Sequence, residues 1–184
     1  MKTFFLSLAL LSAIALRAQP PIGHDAFKKF VPTGYEVRDT VSGDLNGDHI
    51  PDVVLVLQSK AAGASLDTPG SRPFMILLRN NHYQLSLAVT NRDLILPADI
   101  GGTQGDPYVS TTIDNCSFTI QQYYGSRERT RTETTFCYVP SKQDWLLNKV
   151  VITTENALDA DATKTVIKKG KQLKPVSIRD YTGE

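Results

Sequence analysis

From Tyr35 onward the apolar residues of this chain tend to recur at every second position, and a period of two belongs to strands rather than helices. In 82–89 (HYQLSLAV), Tyr83, Leu85, Leu87 and Val89 alternate with polar residues, as a strand with one buried face requires. The same reading gives strands at 35–41, 53–58, 73–79, 109–113, 116–124, 130–139 and 145–153, with turn-forming residues at Asn80-Asn81, at Asp114-Asn115 and across 140–144. Short strands at this spacing predict a mainly β protein, an antiparallel sheet or sandwich, and argue against parallel βαβ units. Ahead of them, 24–31 (HDAFKKFV) predicts a short helix presenting Ala26, Phe27 and Phe30 and stopped by Pro32. Residues 59–72 read as a polar loop. The last thirty read as a polar stretch (154–164), a lysine group suited to a solvated sheet edge (Lys164, Lys168, Lys169, Lys171, Lys174), and a final strand, PVSIRDY.

The N-terminus carries Lys2, an apolar stretch from Phe4 to Leu16 broken by Ser7 and Ser12, and then Arg17-Ala18-Gln19-Pro20. These are the parts of a secretory signal. An apolar run of about thirteen residues falls short of the roughly twenty that a membrane span needs, and no second run follows, so no transmembrane segment is expected. The expected organisation is a signal peptide at 1–18 and a single domain at 19–184, with Ala15 competing with Ala18 as the cleavage point. Periplasmic or secreted localisation follows from it. Cleavage removes Lys2 and Arg17, leaving 18 Lys+Arg against 19 Asp+Glu and turning a balance of +1 into −1. Such a chain has no bulk attraction for nucleic acid or anionic membranes.

One segment carries recognisable chemistry, GDLNGDHIPDVVLVL at 43–57. Oxygen-bearing side chains recur at alternate positions, Asp44, Asn46 and Asp48, with Asp52 after a gap, and the backbone carbonyl of Ile50 can fill the position between. A hard cation such as calcium takes six to eight oxygens, which a tightly turning loop supplies from alternate residues. Three carboxylates so close together repel one another without a cation. An EF-hand is excluded, because Leu55 stands where that loop needs a bidentate Glu and because the apolar exit reads as a strand. The segment resembles instead the Asp-x-Asn-x-Asp-Gly-x-x-Asp loop of FG-GAP and VCBS-type calcium repeats, with His49 where those loops usually have Gly. That resemblance implies a bound calcium ion and covers roughly residues 41–58, once, so a complete β-propeller is not expected. Three further stretches, GGTQGDPY (101–108), YYGSRER (123–129) and DWLLNKV (144–150), resemble a family of exported bacterial proteins of uncharacterised function. Here Tyr124 replaces a hairpin Gly, and Glu128 and Thr130 stand where that family often has Trp. The likeness implies bacterial origin, export and a shared fold, and no activity.

Cys116 and Cys137, the two cysteines of the chain, flank a hairpin and read as a disulfide in an exported protein. Pairing them directly turns Arg129 and Arg131 onto the Phe118 face. A register shifted by one pairs Phe118 with Phe136 and sends the arginines outward, but sets the sulfurs on opposite faces unless a bulge intervenes. Arg127, Arg129 and Arg131 alternate along the hairpin, with Tyr123 placed to stack on Arg131, and Asp106 lies in the Gly/Pro turn before Tyr108. These five residues are the candidate surface for a protein or glycan partner. No nucleophile elbow, zinc-protease helix or phosphate loop is present. The expected function is therefore an exported non-enzymatic protein with a structural calcium loop and a partner left open. A secreted hydrolase using Asp106 on envelope or extracellular polymers, and an inhibitor or immunity-type protein, are the alternatives.

Overall fold

The computed structural model describes residues 24–60, 70 and 72–183; the expected signal peptide and most of the 59–72 loop lie outside them. The described chain forms two antiparallel sheets, each a meander in which sequence neighbours pair. The first has four strands: β1 (Tyr35–Gly43), β2 (Asp52–Ser59), β3 (Phe74–Arg79) and β4 (Leu85–Asn91). The second has five: β5 (Tyr108–Asp114), β6 (Ser117–Gly125), β7 (Glu128–Val139), β8 (Asp144–Asn156) and β9 (Asp159–Lys169). Among the described residues no helix is long and apolar enough to cross a membrane.

The sheets share one core. Val54, Val56, Phe74, Ile76 and Val89 of the first meet Phe118, Ile120, Phe136, Trp145 and Leu147 of the second. Three rings stack through its centre, Phe74 on Phe118 at 5.1 Å and Phe118 on Phe136 at 5.3 Å, and Tyr181 closes edge-on against Phe136. Each such pair adds about 0.5–1.5 kcal/mol beyond the area it buries. Along one edge β1 meets β5 so closely that a Cβ on Gly43 would stand 2.7 Å from Ile113. The outer side of the first sheet is also covered. Val53, Leu55, Leu57, Met75, Leu77 and Leu85 pack beneath Phe27 and Phe30 of a 3-10 helix (His24–Phe30), Val31 just after it, and Tyr35 at the start of β1. Ala26 of that helix is exposed rather than packed. Strand β2 is thus buried on both faces, which explains its unbroken VVLVL.

Three elements differ from expectation. The alternation at 82–89 does not map onto one face. Residue Tyr83 lies in the turn before β4, and a bulge at Ala88 shifts the pairing between Ile76↔Val89 and Leu77↔Leu87. The extra residue turns Leu85 to the outer core, Val89 to the inner one, and leaves Leu87 49% exposed. The polar stretch at 154–164 runs into the long edge strand β9, which pairs with β8 and has exposed positions on both faces, so no apolar rhythm marks it. The segment PVSIRDY makes only an isolated bridge, Leu146↔Ser177. It nonetheless buries Ile178 and Tyr181, and Ile178 N–H donates to Trp145 C=O at 2.9 Å. Buried Asn91 holds that segment down. Its amide donates to the carbonyls of Ile178 and Tyr181, and its Oδ1 accepts from Asp93 and Leu94 N–H.

Candidate functional site

The loop joining β1 to β2 holds four residues of the expected cation site, Asp44, Asn46, Asp48 and Ile50, and the fifth, Asp52, opens β2. Its oxygens turn inward and take the loop's own amides. Asp44 accepts from Asn46, Gly47 and His49 N–H at 3.2, 2.7 and 2.9 Å, Asn46 Oδ1 accepts from Asp48 N–H, and Asp48 Oδ1 accepts from Ile50 N–H at 2.8 Å. Such a chain of side-chain turns forces a left-handed backbone at Gly47 (φ 84°) and at His49 (φ 65°), the position where the sequence lacks the usual Gly. Partial desolvation works to raise the Asp44 carboxyl, but its amide donors outweigh it and hold the pKa below the ordinary value.

Asp52 is different. It is fully buried, and its two oxygens accept one N–H each, from Leu45 within the loop at 3.0 Å and from Arg79 on β3 at 2.8 Å. Burial, aided by the charges of Asp48 and Asp44, outweighs those two donors and pushes its pKa up to about 6. The loop also reaches the second sheet. Leu45 is buried in the shared core, its carbonyl accepts from Trp145 Nε1 at 2.9 Å, and a Cβ on Gly47 would stand 3.2 Å from Cys116 Sγ. Among the described residues no three His, Cys, Asp or Glu side chains stand grouped as ligands around one centre.

Both cysteines are free thiols. The hairpin adopts the outward register, with Phe118 opposite Phe136 and Ser117 opposite Cys137. Cys116 falls outside the strand, in a two-residue turn with Asn115 at φ 44° and Cys116 at φ 61°, and its carbonyl accepts from Tyr138 N–H. Burial raises the Cys137 thiol, with Cys116 adding to it; desolvation and the Asp44 charge raise Cys116. At neutral pH both are thus poor nucleophiles.

The arginine row is shorter than the sequence suggests. Arg129 and Arg131 lie on β7, but Arg127 occupies the exposed turn before it. Arg131 stacks over Tyr123 at 4.8 Å, and the Tyr123 hydroxyl donates to Glu155.

Asp106 has a structural task that the sequence does not announce. It forms a two-pronged ion pair with Arg72, whose side chain is 0% exposed, and it takes Arg38 Nε at 3.2 Å. Both guanidinium groups lie over Tyr108, whose hydroxyl donates to Asp39 at 2.6 Å. Desolvation opposes ionisation of Asp106, but Arg72, Tyr108 N–H and Arg38 together hold its pKa below the ordinary value. A carboxylate so held is unsuited to protonating a leaving group. The glycines beside it serve packing, since a Cβ on Gly101 would strike Gly105 O and one on Gly102 would strike the Gly125–Ser126 turn. Arg72 was legible only as an arginine placed directly before Pro73 and an apolar strand.

The sequence matches no protein-family model, no curated protein and no solved structure.

Proposed function

We propose that this chain is an exported, non-enzymatic protein in which the Asp44–Asp52 loop seats a calcium ion that fastens the two sheets, leaving the outer surface to a protein or glycan partner. One observation carries the reading. A fully buried Asp52 carboxylate lies within the field of Asp44 and Asp48, in a loop that also anchors Trp145 of the opposite sheet. An oxygen-lined turn carrying three carboxylates is suited to a hard cation, and the likeness to FG-GAP and VCBS-type loops points the same way. Seating the ion requires Asp44 and Asp48 to exchange some of their amide partners for the metal, with Asn46, Asp52 and the Ile50 carbonyl completing the shell.

Extracellular calcium modules bind with Kd near 10⁻⁴–10⁻³ M. At about 1 mM calcium and a Kd of about 0.1 mM, binding adds roughly 1.4 kcal/mol, or a rise in Tm of about 4 °C for a domain of this size. Thermal melts in calcium and in EDTA check this. The wild type is expected to show the rise and Asp48→Ala to lack it; an equal rise in both removes the site.

Export would also place Cys116 and Cys137 where thiols oxidise. Cys116 immediately precedes Ser117, which pairs with Cys137, and its carbonyl takes Tyr138 N–H; that adjacency supports a disulfide. Intact mass of protein recovered from the export compartment is expected to be two hydrogens below the reduced value. A fully reduced mass there overturns the bond.

A further inference from the structure

The turn between β3 and β4 is organised by Asn80, whose Oδ1 accepts from His82 and Gln84 N–H at 3.0 and 2.9 Å, while Tyr83 N–H closes onto Asn80 C=O. This geometry forces Tyr83 to φ 61°, a conformation in which Gly or Asn is at ease and a bulky ring is not. The strain serves no packing, because Tyr83 is 53% exposed. An outlier of this kind is a reason to look for a ligand.

Next to the ring, a cleft of about 690 Å³ opens between the 3-10 helix and the hairpin, lined by Lys28, Lys29, Arg79, Tyr83, Gln84 and Leu85. Among the described residues no carboxylate lines it. The Arg79 guanidinium, among the described residues, makes only backbone contacts, to Pro51 C=O at 2.8 Å and Tyr83 C=O at 3.4 Å, and its buried Nη2 has no acceptor. Lys29 reaches the cleft wall at Leu85 C=O, its ammonium 4.8 Å over the Phe30 ring. On a chain that is nearly neutral as a whole, Lys29 and Arg79 beside one exposed aromatic form a local exception.

We infer that this cleft binds an acidic sugar, one carrying carboxylate or sulfate. The cations hold the anionic group, and the exposed face of Tyr83 offers the flat, apolar contact that a sugar ring stacks on. Inorganic phosphate satisfies only the first half of that description and an acidic peptide does not need the ring. The proposal is independent of the calcium loop.

Titrations of the full chain followed by amide NMR test it, with oligogalacturonate as the carboxylate probe, a heparin disaccharide as the sulfate probe, and a neutral cello-oligosaccharide, inorganic phosphate and oligoglutamate as comparisons. At least one acidic sugar is expected to shift the amides of 26–29 and 79–85, and the arm that binds identifies the anionic group. The neutral sugar is expected to leave them in place, with phosphate and oligoglutamate roughly tenfold weaker or more. Tyr83→Asn removes the ring at a position where Asn accepts the backbone, so the turn is retained; it is expected to weaken the sugar about tenfold without changing phosphate. Lys29→Gln is expected to weaken both. Runs in calcium and in EDTA separate loss of the cation loop from loss of the cleft. No shift with either acidic sugar, equal binding of oligoglutamate, or an unchanged affinity in Tyr83→Asn overturns the inference.

Discussion

Asp106→Ala is expected to lower the unfolding free energy by about 3 kcal/mol, seen as a matching fall in the urea midpoint without a change in slope. The effect arises at Arg72 rather than at Asp106. The Arg72 side chain is 0% exposed and its Nε already lacks an acceptor, so removal of Asp106 strands a buried charge whose remaining polar contact is Leu96 C=O at 3.5 Å. Stranding a buried charge costs about 3–5 kcal/mol, and the lower end applies because Asp106 itself is 30% exposed. Arg38, at 39% exposure, can turn to water and adds little. The double variant Asp106→Ala/Arg72→Met is expected to recover much of the loss, because it removes the charge along with its partner. A single variant as stable as wild type contradicts this account of the cluster and returns Asp106 to the list of acids free for chemistry.

In calcium-free buffer the protein is expected to be more stable near pH 5 than near pH 7, the reverse of a protein whose carboxylates are all well paired. Asp52 ionises at about 6 in the folded chain against 3.8 in the unfolded one. Between these values the folded state holds the proton more tightly, so stability declines as pH rises through the window from about 4 to 6. A gap of about two units corresponds to roughly 2–3 kcal/mol at most. Asp44 and Asp106 are shifted the other way, so their stabilisation is complete above the ordinary carboxylate value and is lost only as pH falls below it. They therefore leave the window to Asp52. A calcium ion that keeps the carboxylate ionised is expected to flatten the decline, and Asp52→Asn to abolish it, although the amide serves only one of the two N–H donors and lowers stability overall. Denaturant melts across pH 4–7, with calcium and with EDTA, measure both. A flat calcium-free profile in the wild type removes the buried charge from the account.

What the residues disclose in advance depends on how many partners they need. The apolar run Val53–Leu57 identifies β2 from its own composition, and the pairing of Phe118 with Phe136 could be named as one of two registers, because both residues lie on a local hairpin. The spacing of Asp44, Asn46, Asp48 and Asp52 is likewise local, so the loop was readable. Arg72–Asp106 was not, since its members come from separate segments and no spacing links them. β9 was hidden for a different reason: an edge strand with solvent on both faces has no need of apolar alternation. The bulge at Ala88 misdirected the reading of Leu85, Leu87 and Val89, because one additional residue reverses the faces of everything beyond it. Tyr83 looked like the first buried position of a strand. Only the Asn80 turn reveals it as an exposed ring held in a strained backbone.

The grip of Asn91 on Ile178 and Tyr181 bears on the order in which this chain can become whole. Within each sheet every pairing is a hairpin between neighbours in sequence, the kind of contact that forms early. The contacts that join the sheets bridge distant segments, Leu45 to Trp145 and Asn91 to residues 178–181. A growing or threading chain can therefore assemble its first four strands and still keep their inner apolar face open until β6–β8 dock on it, with Ile178 and Tyr181 closing the core afterwards. Under the export proposed above, that delay keeps the strands pliable in transit, and residues 178–181, gripped by Asn91, act as the latch.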